Sequence, residues 1–340
     1  MKIGITFDLK GAPIPEGAPD DLFEEFDDPA TVAAIAEVFR NLGHQPLELG
    51  NGPAMVRRLL DDPPDFVFNF AEGHGISRSR EARVPAVCET LGIPYTGSDP
   101  ATLSVCLDKD WARRLVEAAG VHTPPAMTVF VGRDLPSDFG SWLLNAFRDS
   151  GLECPVIAKP AFEGSSKGVR QKSLIQNPSD LVSVVAELVR MYRQPILIEE
   201  FIDGEEVTVG VLGNDPPEVL GIMRIVPNDS QKPFVYSLEV KRDWKNRVQY
   251  EAPARFSTEI EAAIAEAALN AFDALGCRDV ARIDFRLREA TPYFIEANPL
   301  PGLNPDTSDL VILARGVGMS YSQLIERIFQ SAWSRTRATL

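Results

Sequence analysis

The stretch GCRDVARIDFRLREATPYFIEANPLPGL (276–303) carries the clearest fold signal in this chain of 340 residues. Two apolar runs within it, DVARIDFRL (279–287) and YFIEAN (293–298), are rich in the residues that favour β-strands. Only the short turn REATP (288–292) separates them. We therefore predict two antiparallel strands that are neighbours in one sheet.

Four polar side chains interrupt these apolar strands. Residues two positions apart on a strand point to the same face, so Arg282 lies beside Asp284 and Glu296 lies beside Asn298. If the two faces coincide, two carboxylates and an amide oxygen converge next to an arginine. Such oxygen ligands suit Mg²⁺, which binds one or two carboxylates together with substrate phosphates. The alternative, a solvated face of an antiparallel sheet, explains acidic residues inside apolar strands poorly.

Further upstream, the first hundred residues alternate between strand and helix patterns. KIGITF (2–7) and DFVFNF (65–70) have the composition of buried strands. A helix begins at Asp28-Pro29, with Asp28 as the N-cap and proline at the first helical position, and a later helix ends at Gly92. This βαβ rhythm predicts a parallel sheet covered by helices on both faces.

The rest of the chain is richer in strands. We predict a helix over Asp108–Ala119, and strands at PVIAKPA (155–161) and ILIEEF (196–201). Thr258 with Glu261 has the pattern of a capping box that opens a helix. Further strand predictions cover VTVGVLG (207–213) and EVLGIMRIV (218–226), and a further helix follows Asn177-Pro178.

Residues 227–253, the lid segment, are polar and lack a clear period. We interpret them as a long loop. Loops of this length in a compact protein are usually functional lids or disordered segments. We therefore predict that the segment closes over a ligand.

A glycine-serine loop, EGSSKG (163–168), follows the strand that contains Lys159. Small residues allow backbone N–H groups to approach phosphate oxygens, and a lysine adds a positive charge. The loop lacks the GxxxxGK[ST] spacing of a P-loop, and alone it also has the composition of an ordinary surface turn. Lys109, at the start of a helix, is a second candidate for binding phosphate.

Two further loops leave alternatives open. Glu199, Glu200, Glu205 and Glu206 surround the end of one strand, as either a solvated turn or a hinge that binds adenine and ribose. His74 lies in the loop EGHG, followed by three arginines. Loops after parallel strands commonly bind ligands, but a solvated helix start is an equal alternative.

Composition excludes several classes of function. With 34 Lys+Arg against 49 Asp+Glu, the net charge is −15, which disfavours binding to nucleic acids or to anionic membranes. No apolar run has membrane-spanning length, and the start MKIGITFDLKGAP has no secretory hydrophobic region. The four cysteines are scattered, without a CxxC pair. We therefore predict a cytoplasmic protein with reduced thiols.

The chain resembles the ATP-grasp superfamily, and within it D-alanine–D-alanine ligase and its relatives. The resemblance covers nearly the whole chain. It implies an α/β fold, α+β in the C-terminal part, with an N-terminal Rossmann-like pre-ATP-grasp domain (1–107), a central ATP-grasp domain (108–202) and a C-terminal catalytic domain (203–340). It rests on an ordered set of motifs: YTGS (95–98), LDK (107–109), KP…EGSS.GV (159–169), IEEFIDGEEVTV (198–209), RIDF (282–285) and EANPLPGL (296–303).

The resemblance also implies roles for individual residues. ATP would be bound by Lys109 and Lys159 at the phosphates, by Glu199 and the backbone of Phe201 and Ile202 at adenine, and by Glu206 at ribose. Two Mg²⁺ ions would be bound by Asp284, Glu296 and Asn298. Catalysis would involve Arg282, Gly302, Ser165, Ser166 and Lys241, and the substrates would meet Glu24, Glu25, His74, Arg80, Arg242 and Ser308.

The predicted activity is ATP-dependent amide-bond formation between amino acids or related small acids, through an acyl-phosphate, with release of ADP and phosphate. The resemblance also implies a homodimer. Alternatives are D-alanine–D-alanine ligase itself, a kinase that stops at the phosphorylated acid, and a nucleotide-binding regulator without catalysis. The retained Arg282 and metal-ligand types disfavour the regulator.

The substrate half departs from the family pattern. Where the lid of the dipeptide ligases carries a Lys-Tyr pair, this chain has Lys241-Arg242, and the loops FEEFDDP (23–29) and FNFAEGHGISRSREA (68–82) are rewritten. Arg242 either binds an additional anionic or hydrogen-bonding group of the substrate, or it points to solvent or pairs with Asp243 or a carboxylate of FEEFDDP.

Overall fold

The computed structural model describes residues 1–130, 135–229 and 233–339. Its helices are α1 Pro29–Asn41, α2 Gly52–Asp61, α3 Arg83–Leu91, α4 Pro100–Leu107, α5 Lys109–Ala118, α6 Phe139–Asp149, α7 Pro178–Tyr192, α8 Leu238–Arg242, α9 Trp244–Arg247, α10 Thr258–Ala274, α11 Asp309–Gly316 and α12 Tyr321–Thr339. Its strands are β1 Lys2–Thr6, β2 Gln45–Glu48, β3 Phe66–Asn69, β4 Ala126–Val129, β5 Val156–Pro160, β6 Leu174–Ile175, β7 Ile196–Glu200, β8 Glu205–Leu212, β9 Glu218–Pro227, β10 Val248–Glu251, β11 Val280–Arg288 and β12 Thr291–Asn298.

The N-terminal sheet has the strand order β2-β1-β3, and its strands are parallel, as predicted. Helices cover both of its faces. Phe39 of α1 and Phe329 of α12 pack with Phe66 and Phe68 on one face, while α2 and α3 cover Val67 on the other. The last helix of the chain therefore contributes to the core around its first strand.

The middle sheet is antiparallel throughout, in the order β4-β7-β5-β6. Helices α6 and α7 share one hydrophobic core with it, to which Leu143, Val185 and Ile198 contribute fully buried side chains. This sheet presents Lys159 on β5 and Glu199 on β7, and the loop 163–168 follows β5 directly.

The C-terminal sheet is also antiparallel, in the order β10-β9-β8-β11-β12. Helix α10 packs against one face. Helix α11 lies close against the other face because Gly210 has no side chain there. A Cβ atom at Gly210 would lie 2.9 Å from side-chain atoms of Leu310 and Leu313. The close approach brings the start of α11 to the edge of the candidate site.

The predicted start of α10 is wrong by one residue. The N-cap is Ser257, whose hydroxyl oxygen accepts a hydrogen bond from the Ile260 amide at 3.4 Å. Thr258 is the first helical residue, so it does not form a capping box with Glu261. Two consecutive hydroxyl residues match the N-cap preference, and the chain uses the first.

The interpretation of the lid segment as one long loop is also wrong. The segment contains α8, α9 and β10, and β10 pairs with β9 so that Glu251 lies opposite Arg224. Val235, Leu238 and Val248 are buried and anchor it. Residues 230–232 of the segment lie outside the described residues.

No helix within the described part of the chain combines the length and the apolarity that a membrane crossing requires.

Candidate active site

The strand pair β11–β12 brings the four predicted polar residues together. Asp284 lies directly opposite Glu296, and Arg282 lies directly opposite Asn298. All four side chains therefore project from one face of the sheet, which confirms the predicted convergence. The Asn298 amide donates hydrogen bonds to Asp284 at 3.3 Å and to Glu296 at 3.4 Å.

The Arg282 guanidinium neutralises this acidic face. Its Nε donates to both oxygens of Asp284 at 3.1 Å, and Nη2 donates to Oδ2 at 2.8 Å. Thr208 on β8 donates a further hydrogen bond to Asp284 at 2.9 Å. The pKa of the Asp284 carboxyl lies above its ordinary value, because the effect of burial exceeds the opposing effect of the nearby Arg282. A metal cation bound to Asp284 in place of Arg282 would likewise neutralise the buried negative charge of the Asp284 carboxylate.

Two lysines reach the same place from other elements. Lys109 Nζ, at the start of α5, lies 2.9 Å from Glu296 Oε2 and donates to the Glu163 carbonyl at 2.5 Å. Lys159 Nζ lies 2.6 Å from Glu199 Oε1. Burial raises the pKa of Glu296, but Lys109, Arg282, Lys241 and Lys159 together outweigh burial and leave the pKa well below its ordinary value.

These groups line the nucleotide cleft, which has about 740 Å³ of empty space. The sequence-predicted ATP residues all line it: Lys109, Lys159, Glu199, Phe201, Ile202 and Glu206. Apolar surface from Ile157, Val169 and Ile295 faces the same cleft. Lysines and paired carboxylates at one end and apolar walls elsewhere fit a phosphate chain attached to an aromatic base.

The hinge between β7 and β8 is organised by Arg286, which the sequence analysis did not identify. Its guanidinium donates to the carbonyls of Ile202 at 2.6 Å and Gly204 at 2.8 Å. It also pairs with Glu206 at 2.6 Å and lies 4.6 Å from the centre of the Phe201 ring. A signal for it was available, because Arg286 is two residues from Asp284 on the same strand face.

The glycine-serine loop is held in an uncommon backbone conformation. Ser165 and Ser166 have φ angles of 49° and 58°, in the left-handed region that few non-glycine residues adopt. The Ser166 hydroxyl donates to the Tyr236 carbonyl at 3.2 Å, and the Gly164 amide donates to Glu25 at 2.5 Å. The loop is thus tied to both the lid segment and the N-terminal region.

A second space, the substrate cavity, adjoins the nucleotide cleft and has about 1010 Å³ of empty space. Lys241 lines both spaces, and its ammonium lies 5.0 Å from the centre of the Tyr236 ring. Ser165, Arg282, Gly302 and Ser308 also line the substrate cavity. The Ser308 hydroxyl oxygen accepts a hydrogen bond from the Asn304 amide at 2.8 Å, and a Cβ atom at Gly302 would lie 2.9 Å from it.

The substrate cavity contains a tyrosine pair and a carboxylate that the sequence analysis missed. The Tyr236 and Tyr250 hydroxyls share a hydrogen bond of 2.7 Å. Asp309, buried at the start of α11, lies 3.5 Å from Arg282. Burial and the nearby Asp309 raise the pKa of Tyr236 well above its ordinary value. The three residues come from separate elements, so no local pattern joined them.

Arg242 lies at the rim of the substrate cavity, paired with acidic residues of the N-terminal loop. Its guanidinium binds Glu24 at 2.7 Å and Asp20 at 2.9 Å. The structure therefore shows the predicted pairing of Arg242 with a carboxylate of the FEEFDDP loop, that of Glu24. Its donors are directed to the protein rather than into the cavity.

Arg80 and Glu25 form a buried ion pair. The Arg80 Nη2 atom donates to both oxygens of Glu25, at 2.7 and 2.8 Å. Lys167 adds a third contact to Glu25 at 3.1 Å. Burial raises the pKa of Glu25, but Arg80 and Lys167 outweigh burial and lower it to about 2. The expectation that Arg80 contacts substrate is corrected, since its donors are taken by protein groups.

His74 is not brought into the cavities. Its side chain is 63% exposed, and Nε2 lies 2.8 Å from Asp8. The ring contacts Phe26 edge-on at 4.8 Å. Because the nucleotide cleft and the substrate cavity are both lined by other residues, the structure does not support His74 as a substrate residue.

Comparison with known proteins agrees with this geometry. The family model described as D-ala D-ala ligase C-terminus matches residues 115–330. The uncharacterized protein y4sG of Sinorhizobium fredii is 33% identical over 316 residues, which is 90% of this chain and 87% of that protein. The D-alanine–D-alanine ligase of Aquifex aeolicus is 31% identical over 299 residues, 88% of this chain and 93% of the relative.

A solved structure shares the whole fold. The D-alanine–D-alanine ligase from Bacillus anthracis complexed with ATP superposes with a TM-score of 0.73 at 21% identity. The match covers 100% of this chain and 99% of that one.

Proposed function

Because this chain belongs to the D-alanine–D-alanine ligase family and has its ATP-grasp fold, we propose a specific reaction for it. It is an ATP-dependent carboxylate–amine ligase. The reaction that we propose joins two amino acids, or related small acids, through an acyl-phosphate, and it releases ADP and phosphate.

The nucleotide cleft supports ATP as the phosphoryl donor. Lys109 and Lys159 present buried ammonium groups at the end of the cleft that also contains Glu296. Phe201, Ile202 and Glu206 of the hinge line the same cleft, and we assign the adenine and the ribose to this end of it. Phosphoryl transfer needs mainly positioning and charge neutralisation, and this arrangement supplies both.

The face of β11 and β12 fits magnesium. Asp284 is buried and Glu296 is partly buried on paired strands, and Asn298 can turn its amide oxygen toward them. No group of three or more His, Cys, Asp or Glu side chains is arranged for a metal among the described residues. Two carboxylates with phosphate oxygens are the ligand set that Mg²⁺ prefers. Bound there, Mg²⁺ would neutralise the phosphate charge.

The remaining residues act on the acyl group. The Arg282 guanidinium and the Gly302 N–H line the substrate cavity where an oxyanion would develop during attack by an amine. Lys241 lies between the two spaces and can bind the transferred phosphoryl group. The lid segment covers this junction and excludes water, which would otherwise hydrolyse the acyl-phosphate.

One observation carries the proposal. The register that places Asp284 opposite Glu296 puts both carboxylates on the wall of the nucleotide cleft, where Lys109 pairs with Glu296, and the adjacent Arg282 lines the substrate cavity. A regulator that only bound nucleotide would not need Arg282 and a second cavity there.

The test is a screen of ADP and phosphate release over pairs of D- and L-amino acids, with mass spectrometry of the products. A ligase gives ADP, phosphate and a dipeptide or amide only when both substrates are present. Hydroxylamine added with the acid alone should give a hydroxamate by trapping the acyl-phosphate. Absence of ADP release with every pair would overturn the proposal, and phosphorylated acid as the final product would indicate a kinase.

A further inference from the structure

Three carboxylates contact the Arg282 guanidinium, and they come from three different elements. Asp284 of β11 lies 2.8 Å from Nη2, and Glu296 of β12 lies 3.6 Å from the same nitrogen. Asp309, the first residue of α11, lies 3.5 Å from Nη1. Among the residues that the structure describes, no other carboxylate lies within 4.0 Å of this guanidinium. Asp309 has no role in the reaction proposed above.

The proposed reaction removes two of these three partners from Arg282. Asp284 and Glu296 are the carboxylates that would bind Mg²⁺. Arg282 donates hydrogen bonds to both oxygens of Asp284, so a metal ion at this carboxylate would displace the guanidinium from it. The two cations also repel each other at short distance. Once the metal is bound, Asp309 is the remaining carboxylate in contact with Arg282.

Arg282 needs such a partner because it is removed from water. Its side chain is 11% exposed, and a buried charge without a counter-ion carries a large desolvation cost. Arg282 and Asp309 both line the substrate cavity, whereas Asp284 lines the nucleotide cleft. An ion pair with Asp309 therefore holds the guanidinium at the substrate cavity.

The surroundings of Asp309 suit a charged carboxylate. It lies in the first turn of α11, where the helix dipole stabilises negative charge. The Tyr250 hydroxyl of β10 forms a hydrogen bond with it. Burial and the charge of Asp309 raise the pKa of Tyr250, so this phenol keeps its proton and donates it to the carboxylate. Tyr250 in turn shares a hydrogen bond of 2.7 Å with Tyr236 of the lid segment.

We propose that Asp309 is a positioning residue that becomes the main partner of Arg282 when Mg²⁺ binds at Asp284 and Glu296. The inference rests on the proposed function and adds a residue to it. Without metal, Arg282 binds chiefly to Asp284, because those contacts are the shorter ones. With metal, the pair with Asp309 keeps the guanidinium in place for the oxyanion that develops on the acyl group.

This exchange of partners links metal binding to Asp309. Without the Asp309 carboxylate, Mg²⁺ must compete with Arg282 for Asp284 or leave Arg282 buried and unpaired. Either outcome raises the Mg²⁺ concentration that the protein needs. The metal-free protein keeps the pairs of Arg282 with Asp284 and Glu296, so its stability depends little on Asp309.

The experiment is a thermal-shift titration with Mg²⁺ in the presence of a non-hydrolysable ATP analogue, which requires no turnover. For Asp309→Asn we expect the half-saturating Mg²⁺ concentration to rise by about tenfold or more, the scale of one lost hydrogen bond to a charged group. Tyr250→Phe removes the donor but keeps the carboxylate, and it should give a smaller shift in the same direction. Asp306→Asn, the same change at an exposed residue just before α11, is the control and should titrate like wild type.

Two further measurements separate positioning from a structural role. The melting temperature of metal-free Asp309→Asn should stay within about 4 °C of wild type. At saturating Mg²⁺, kcat for ADP release should fall by about tenfold or more, while the KM for ATP should change little. This split is expected because Arg282 acts on the acyl group and not on the nucleotide.

The failure of the inference and that of the proposed function are distinguishable. If Mg²⁺ with the analogue does not stabilise wild type and no substrate pair gives ADP, the proposed function falls and this inference falls with it. If wild type is active but Asp309→Asn titrates at the wild-type Mg²⁺ concentration, the inference is overturned while the ligase function stands. A metal-free Asp309→Asn protein that does not fold, or that melts far below wild type, would assign Asp309 a structural role and also overturn the inference.

Discussion

Arg242 in helix α8 and Glu24 in the N-terminal loop form an ion pair, with Nη2 and Oε2 2.7 Å apart. The two residues are 218 positions apart in the chain. A second arginine, Arg170, reaches the same region and binds Asp21 at 3.4 Å and Glu239 at 3.5 Å. Ion pairs thus connect the lid segment to the N-terminal loop.

Arg242→Ala should loosen the lid segment. Since exposed ion pairs contribute about 0.2–1 kcal/mol, global stability should fall by less than about 1 kcal/mol. We expect faster proteolysis within residues 233–251 of the variant without ligand, and slower proteolysis of both proteins when ATP analogue and substrate are bound. Arg247→Ala is the control, because Arg247 pairs only with Asp243 on its own helical turn among the described residues. Equal cleavage of the two variants would contradict a connection through Arg242.

Glu296→Gln should abolish turnover without unfolding the protein. A neutral amide is a poorer magnesium ligand than a carboxylate, and it also loses the ion pair to Lys109. Turnover should fall by at least a hundredfold, measured as ADP release across a magnesium titration. Circular dichroism and the melting temperature serve as the folding control. Wild-type turnover of this variant at low magnesium would refute the metal assignment.

Arg286→Ala should strongly destabilise the hinge. The substitution leaves the buried Glu206 without its cation and the carbonyls of Ile202 and Gly204 without a donor. Breaking a buried pair costs about 3–5 kcal/mol, measurable by urea unfolding. The KM for ATP should also rise. Arg288→Ala, which removes the partly exposed pair with Glu200, is the matched control and should cost less than about 1 kcal/mol.

Glu81 should make stability dependent on pH. Burial raises its pKa from an ordinary 4.5 to about 7. The folded state therefore binds a proton more tightly than the unfolded state, and stability contributed by this group is lost as the pH rises from about 4.5 through 7. The charged groups that face it are Arg80, Glu25, Lys109, Glu163 and Glu72.

Glu81→Gln removes this dependence. Its melting temperature should exceed that of wild type at pH 8, and the difference should shrink as the pH falls toward 5. Glu266→Gln, on the exposed face of α10, should show no such convergence. A constant difference between Glu81→Gln and wild type at every pH would show that the carboxyl does not titrate in this range.

Local patterns were sufficient to predict the polar face shared by β11 and β12. The strands that carry Asp284 and Glu296 follow one another with a short turn between them, so alternation along each strand determines which side chains meet. The same holds for the N-terminal parallel sheet, where helix and strand periods are clear. In both places, the residues that interact are close in sequence or constrained by one sheet.

The lid segment shows where such patterns fail. The helices α8 and α9 are too short for a helical spacing of apolar residues to be recognised in the sequence. Strand β10 is stabilised by its pairing with β9 rather than by its own composition. Strand propensity depends on neighbours that a linear pattern does not contain. The predicted long loop was wrong for that reason.

The sequence by itself determined the family, the convergence of polar side chains on one face of β11 and β12, and a set of residues that line one cleft, because these depend on short motifs and on alternation along strands. Only the tertiary structure decided that Arg242 pairs with Glu24 and that Arg80 saturates Glu25. Whether a charged side chain is paired or free depends on groups far away in the chain, and their distances exist only once the sheets have packed together.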